Sequence, residues 1–241
     1  MIGIILIILS WLMLRLQRRP LSALGFDRPG RRFAELLIGL LVAGAFAGSQ
    51  FLLTAFLAGF DWVVNPQFRP ALLVESLRWN VNSVLFEELL FRGYLLYKAI
   101  EYLGARKACL LSAVAFGIYH WFSYEIFGQW TTMLYVLLMT GTFGWMLAWA
   151  FARTGSIFLP IGLHLGWNLV TILIFSNGPL GDQWLIADAP EAGRLLRGAE
   201  SVLIHLGIPL LLVIGVTVLL GPVGKRASAN RQRKLPGIPG S

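Results

Sequence analysis

Cysteine is nearly absent from the chain: its 241 residues hold one, Cys109. That excludes a disulfide within the chain and any cysteine-based metal cluster. Charge is scarce too. Asp, Glu, Lys and Arg make up 13% of the residues, about half the share of a soluble domain. Histidine is limited to His120, His164 and His205. No GxxxxGK, HExxH or paired CxxC motif occurs, and no internal repeat. Phosphate-binding loops and helical zinc signatures are thereby set aside. What is present is apolar: 57% of the residues are hydrophobic and the mean hydropathy is +0.71. The net charge of +8 is read as a membrane feature, and no nucleic-acid partner is expected.

Apolar stretches at about residues 2–16, 34–58, 79–100, 108–124, 131–151, 157–176 and 201–220 approach the ~20 residues that a membrane helix needs. They predict an all-α, polytopic transmembrane helix bundle of about seven spans with the lipid bilayer around it. The first stretch has neither a basic leader nor a small-residue cleavage site, so it reads as a retained helix. Fifteen of the 20 Lys and Arg residues fall on one side of this arrangement, at Arg15 and in the loop over 17–32, around Lys98 to Lys107, at Arg153 and in the tail from Lys225. Basic loops stay cytoplasmic, which predicts the N-terminus outside and the C-terminus inside. Trp62, Trp79, Trp121, Trp130 and Trp184 then lie at the outer ends. The chain divides into N-terminal helices and a basic loop (1–70), a central core (71–176), and an outer loop, last helix and basic tail (177–241).

Smaller features fit that frame. The basic loop over 17–32 is equally suited to anionic lipid head groups and to setting orientation. Gly39, Gly44 and Gly48 predict close helix packing in the second span. Residues 61–78 predict an interfacial helix. Thr140, Gly141, Thr142 and Gly144 read as packing residues of the fifth span. The tail after Gly221, basic and rich in Pro and Gly, predicts disorder.

One run departs from the apolar background: Leu85-Phe86-Glu87-Glu88-Leu89-Leu90-Phe91-Arg92-Gly93-Tyr94. Ionisable groups inside a membrane helix are costly, and they mark functional sites. Glu88 and Arg92 are four residues apart and share a helix face, which predicts a structural ion pair. Glu87 is turned about 100° away and has no helical counter-ion, which makes it a candidate general base or acid. A salt bridge that only pins two helices is the plainer reading, but it leaves one carboxylate unexplained.

His164 and Asn168 are likewise four apart and point into one site, while Gly162 and Gly166 let another backbone or a substrate come close. Counted from Lys98, Lys107 and Arg153, the residues Glu87, His120 and His164 lie roughly 16–20 Å from the cytoplasmic ends, at one depth. His205 lies about 30 Å up by the same count from Lys225 and reads as interfacial. Two histidines and a carboxylate (His120, His164, Glu87) are also a possible zinc ligand set, although Asn168 is a poor zinc ligand and HExxH spacing is absent.

Glu87-Glu88-x-x-x-Arg92, Phe116-x-x-x-His120 and His164-x-x-x-Asn168 resemble, in order, the three motifs of the CPBP family. That family includes the type II CAAX prenyl endopeptidases of the Rce1 type and the "Abi"-domain bacteriocin-processing or immunity proteins. The resemblance covers residues 80–175. It implies an intramembrane peptidase without a cofactor, zinc being the alternative. By position, Glu87 with His120 would activate a water, His164 with Asn168 would form the oxyanion site, and Glu88 and Arg92 would be the structural pair. The implied partner is a membrane-anchored protein or peptide, prenylated or carrying a C-terminal sorting tail. The implied location is a bacterial inner membrane. A non-proteolytic membrane scaffold, immunity or regulatory protein of the same family is the alternative function.

Overall fold

The computed structural model describes residues 2–189, 196 and 198–222. The basic tail and the outer-loop residues Arg194, Leu195 and Arg197 lie outside the described residues. The first elements are α1 (Ile2–Leu16), a single 3-10 turn (Leu21–Leu24) and the long α2 (Pro29–Ala58). Pro29 opens α2, where its missing N–H costs nothing, and Gly59 ends it in the left-handed region. Strand β1 (Trp62–Val64) follows, then α3 (Pro70–Arg92), α4 (Tyr94–Leu103), α5 (Ala105–Ser123), α6 (Trp130–Thr154) and α7 (Phe158–Asn168). Strand β2 (Leu185–Ala187), α8 (Ala199–Val202) and α9 (Ile208–Leu220) complete the described chain.

The architecture is helical, with one small ribbon in which β1 pairs antiparallel with β2, Val63 opposite Ile186. Among the described residues, three segments are long and apolar enough to cross a membrane: Leu21–Ala58, Trp130–Thr154 and Ala199–Leu220. Gly3–Leu16 and Phe158–Ile174 are apolar but shorter. Helix α3 has the length of a span, but Glu75, Arg78, Glu87, Glu88 and Arg92 lower its hydropathy. Ile4, Ile5, Leu41, Phe56, Leu211 and Leu219 stand exposed on the outward faces of α1, α2 and α9. So much apolar surface calls for lipid around it.

Two sequence expectations are corrected here. The interfacial helix over 61–78 does not form as a unit. Trp62 to Val64, aromatic and β-branched, pair as a strand, and Pro70 starts α3, which runs unbroken into the Glu-Glu segment. The single helix expected over 79–100 is interrupted at Gly93. A side chain there would put Cβ 2.1 Å from the Leu89 carbonyl oxygen, so only glycine allows the turn from α3 into α4. The residue count from Lys98 to Glu87 therefore crosses a joint and is not a straight helical rise.

The tightest helix pair is α2 with α7. Cβ atoms built at Gly162 and Gly166 would fall 2.2 and 2.3 Å from the Leu36 and Leu40 carbonyl oxygens, and one at Gly39 would fall 2.6 Å from the Leu163 amide. The two backbones touch along these three glycines; of the second span's glycines only Gly39 makes the close approach, Gly44 being at ordinary contact distance and Gly48 meeting nothing within 4 Å. Helix α7 is thereby held at a fixed height against α2.

The two ends of the bundle differ. At one end the Leu24 carbonyl accepts from the Ile157 amide at 3.0 Å, Arg19 meets Glu101 at 3.5 Å and Arg153 Nε donates to the Leu220 carbonyl at 2.5 Å. Arg32, in the basic loop region, is buried between Asp27 (2.7 Å) and Glu35 (2.8 Å). At the other end Asn65 donates to the Gln183 carbonyl at 2.8 Å, and Ser76 bonds the Gln183 side chain.

Candidate active site

Helix α3 carries Glu87 and Glu88 on adjacent positions, so their carboxylates diverge. Arg92, one turn on, is fully buried. Its Nη1 donates to Glu88 Oε1 at 3.1 Å and its Nη2 to the Gly144 carbonyl of α6 at 3.2 Å. The guanidinium lies 4.0 Å from the centre of the Phe116 ring, a cation–π contact that covers its face. Glycine is required at 144: a Cβ would sit 3.1 Å from Arg92 Nη2 and 2.8 Å from the Phe116 ring. The sequence reading assigned this region to packing alone. Its carbonyl is in fact the second anchor of the arginine.

Glu88 has a second partner. His164 Nδ1 donates to Glu88 Oε1 at 2.8 Å. One carboxylate oxygen thus joins α3 to α7 and receives both the guanidinium and the imidazole. This leaves His164 Nε2 on the far side of the ring, 3.7 Å from Glu87 Oε2. The other Glu87 oxygen accepts from Ser83 Oγ at 3.3 Å. Glu87 Oε2 is buried and has no hydrogen-bond partner within the protein. A polar separation of this size is where a bridging water fits.

His120 stands on α5 with Nδ1 donating to the Phe116 carbonyl one turn back, at 2.8 Å. Its Nε2 is therefore the nitrogen available to a ligand. Phe116 lies between the two histidines, with its ring centre 4.5 Å from His120 and 6.0 Å from His164. His120, His164 and Asn168 line one cavity of about 220 Å³, together with Gln50 of α2 and His205 ahead of α9. Glu87 is not part of that wall; it stands across the His164 ring. After Asn168 the helix widens into a π turn over Leu169–Ile174, a feature frequent at functional sites.

The structure thus brings Glu87, Glu88, Arg92 and His164 into one cluster, and His120, His164 and Asn168 into one cavity. His164 brings an imidazole nitrogen to 3.7 Å from Glu87; the resemblance pairs Glu87 with His120. Ser83, four residues before Glu87, was readable as a helical neighbour. Gln50 was readable as a lone amide in an apolar run. The depth count placed His205 at the outer end, where it also reaches the cavity mouth. Among the described residues, no three His, Cys, Asp or Glu side chains converge as a metal site. Glu88 holds His164 Nδ1 and leaves its Nε2 toward Glu87.

Comparison with known families gives a match over residues 69–170 to the Rce1-like type II CAAX prenyl endopeptidases. Curated proteins and solved structures give no match. The matched segment holds α3 to α7 with Glu87, Glu88, Arg92, His120, His164 and Asn168. It includes the buried cluster together with His120, His164 and Asn168 of the cavity, and over it the chain is similar to the Rce1-like type II CAAX prenyl endopeptidases.

Proposed function

We propose that this integral membrane protein is an intramembrane endopeptidase that hydrolyses a peptide bond of a membrane-associated protein or peptide. One observation carries the reading: Glu87 Oε2 is buried and unpartnered, 3.7 Å from His164 Nε2. A water held between them would lose its proton to Glu87 as it attacks the scissile carbonyl. Glu87, Glu88 and Arg92 together carry one net negative charge. A single proton shared among Glu87, Glu88 and His164 brings the buried cluster to neutrality.

His164 and Asn168 face the same cavity and supply donors for the tetrahedral oxyanion. A neutral His164 whose Nδ1 hydrogen is on Glu88 presents a lone pair at Nε2, so it donates there only when it carries the shared proton. The shared proton serves the oxyanion and stays in the cluster, and the proton that Glu87 takes from water goes to the leaving amine. His120, whose Nδ1 hydrogen is on the Phe116 carbonyl, presents a lone pair at Nε2 on the opposite wall, an acceptor for a proton of the attacking water or of the leaving amine. Removing one oxyanion donor costs about 3–4 kcal/mol of transition-state stabilisation. Glu88 and Arg92 hold the geometry.

The test uses purified full-length protein in lipid vesicles with membrane-anchored reporter peptides, read by mass spectrometry. Cleavage by the parent and none by Glu87→Gln supports the reading. Absence of cleavage across lipidated and sorting-tail reporters favours the scaffold alternative, which the α3–α6–α7 ionic bridge would also serve.

A further inference from the structure

The cavity is closed at one end and open at the other. Phe116 and His164, buried, close it. Tyr124, 54% exposed, and His205, also exposed, mark its mouth. Tyr124 follows the last residue of α5, one turn beyond His120, whereas Arg106 and Lys107 lie in the first turn of that helix. His205 precedes α9, whose far end at Leu220 is held by Arg153. The mouth is therefore at the end of the bundle opposite Arg106, Lys107 and Arg153.

That opposite end is the basic one. The last turn of α1 and the loop after it, the start of α2, α4 with the start of α5, and Arg153 hold ten Lys and Arg residues, whereas the mouth end holds Arg69 and Arg78 among the described residues. Contacts join these segments into one surface, among them Arg19 with Glu101 and Leu24 with Ile157. Basic short loops remain on the cytoplasmic side. The mouth then faces away from the cytoplasm.

The wall near the mouth carries an unused amide. Gln50 is 9% exposed, and its Oε1 is buried without a hydrogen-bond partner. It sits beside Phe51, which stacks on Phe175 at 4.8 Å near the outer end of the α2–α7 pair. A side-chain amide offers an acceptor and two donors, the complement of a peptide bond. An unpaired buried acceptor costs free energy that a ligand donor would recover. His205 Nδ1 donates to the Ser201 carbonyl at 3.0 Å, so its Nε2 is available to a ligand.

We propose that the site is reached from the non-cytoplasmic face by an extended polypeptide segment of a membrane-anchored protein presented there, and that Gln50 pairs with its backbone. The substrate class is extracytoplasmic polypeptide, not a cytoplasmic C-terminus. This rests on the hydrolase reading for its chemistry, but not for its geometry.

Two measurements separate the two. In a Cys109→Ser background, Tyr124→Cys and Gln129→Cys are treated in intact cells with a membrane-impermeant maleimide, with Lys98→Cys as the opposite marker. Labelling of 124 and 129 in intact cells, and of 98 only after permeabilisation, is expected. Absence of labelling at 124 and 129, or labelling of 98 in intact cells, overturns the access route whatever the protein cleaves. Binding of a vesicle-anchored reporter peptide to Glu87→Gln protein is then compared with Glu87→Gln carrying Gln50→Leu, or Gln50→Met if the leucine variant does not fold. A loss of about tenfold in affinity is expected for one amide contact. A change under threefold, or no binding to the Glu87→Gln parent, overturns the role of Gln50. Binding that persists with no cleavage by the wild-type protein sinks the hydrolase reading and leaves the clamp standing.

Discussion

At the scale of single residues, the two adjacent glutamates do different work, and the difference is physical. Glu88 is fully buried between Arg92 and His164. Removing its charge leaves a buried guanidinium with only the Gly144 carbonyl, a change that costs about 3–5 kcal/mol. Glu88→Gln is expected to lower expression and the detergent-solubilised Tm. Glu87→Gln removes no ion pair of that kind and is expected to stay folded while losing cleavage, by at least the 100-fold typical of a lost general base. Indistinguishable Tm values for the two variants would show that this division of roles is wrong. Metal is a separate question at the same scale. With Glu88 and His164 Nδ1 engaged by each other, Glu87 would have to be both zinc ligand and base. Purified protein is expected to contain well under one zinc per chain and to keep its activity in a strong chelator. One tightly bound zinc by elemental analysis, with activity lost to chelation and restored by zinc, would reverse this assignment. The Glu88–Arg92 pair was legible because helical spacing alone aligns the two residues. The His164–Glu88 bond was not, because it depends on how α7 is set against α3, and no local pattern encodes that.

At the scale of elements, glycines decide where the helices stop and how near they come. The apolar periods over 2–16, 34–58, 108–124 and 131–151 correspond to α1, α2, α5 and α6 within a few residues. The break at Gly93 was hidden because hydropathy continues smoothly across it. Only the backbone turn shows that Leu89 leaves no room for a side chain. Gly93→Ala is expected to shift α4 against α3 and to reduce folded yield. The α2–α7 contact gives a sharper comparison. Gly162→Ala would drive a methyl into the Leu36 carbonyl at 2.2 Å, whereas Gly48→Ala on α2 meets nothing within 4 Å. Overpacking of this kind costs about 1–3 kcal/mol. The first variant is expected to lower Tm, and the second to leave it unchanged or slightly raised, since alanine favours helix by roughly 1 kcal/mol over glycine. Equal Tm values would mean that the close approach does not bear on stability. Because α7 carries His164, Gly162→Ala is also expected to reduce cleavage by more than its loss of folded protein explains.

At the scale of the whole molecule, the two ends are held by different chemistry. The loop over residues 17–19 is tied to α4 by the part-exposed Arg19–Glu101 pair and by a Gln17–Tyr94 hydrogen bond. The opposite end is held by the β1–β2 ladder and by Asn65 and Ser76 around the buried Gln183. The charge bias that sets orientation was legible from the sequence, since it needs only a count of loop residues. The ribbon was not, because its strands are three residues each and lie more than 100 residues apart. Salt should separate the ends. Between 0.1 and 1 M the screening length falls from about 10 to about 3 Å, which weakens exposed ion pairs and leaves buried neutral hydrogen bonds alone. Such a pair is worth about 0.2–1 kcal/mol, so amide exchange at Gln17, Arg18 and Arg19 is expected to quicken by no more than about fivefold. Exchange at Val63 and Asn65 should not change. The measurement is hydrogen–deuterium exchange by mass spectrometry in nanodiscs at the two salt concentrations. Equal acceleration at both ends would show that the ionic contacts do not hold the basic end. A response confined to residues 17–19 would place the soft part of the molecule on the face away from the cavity mouth.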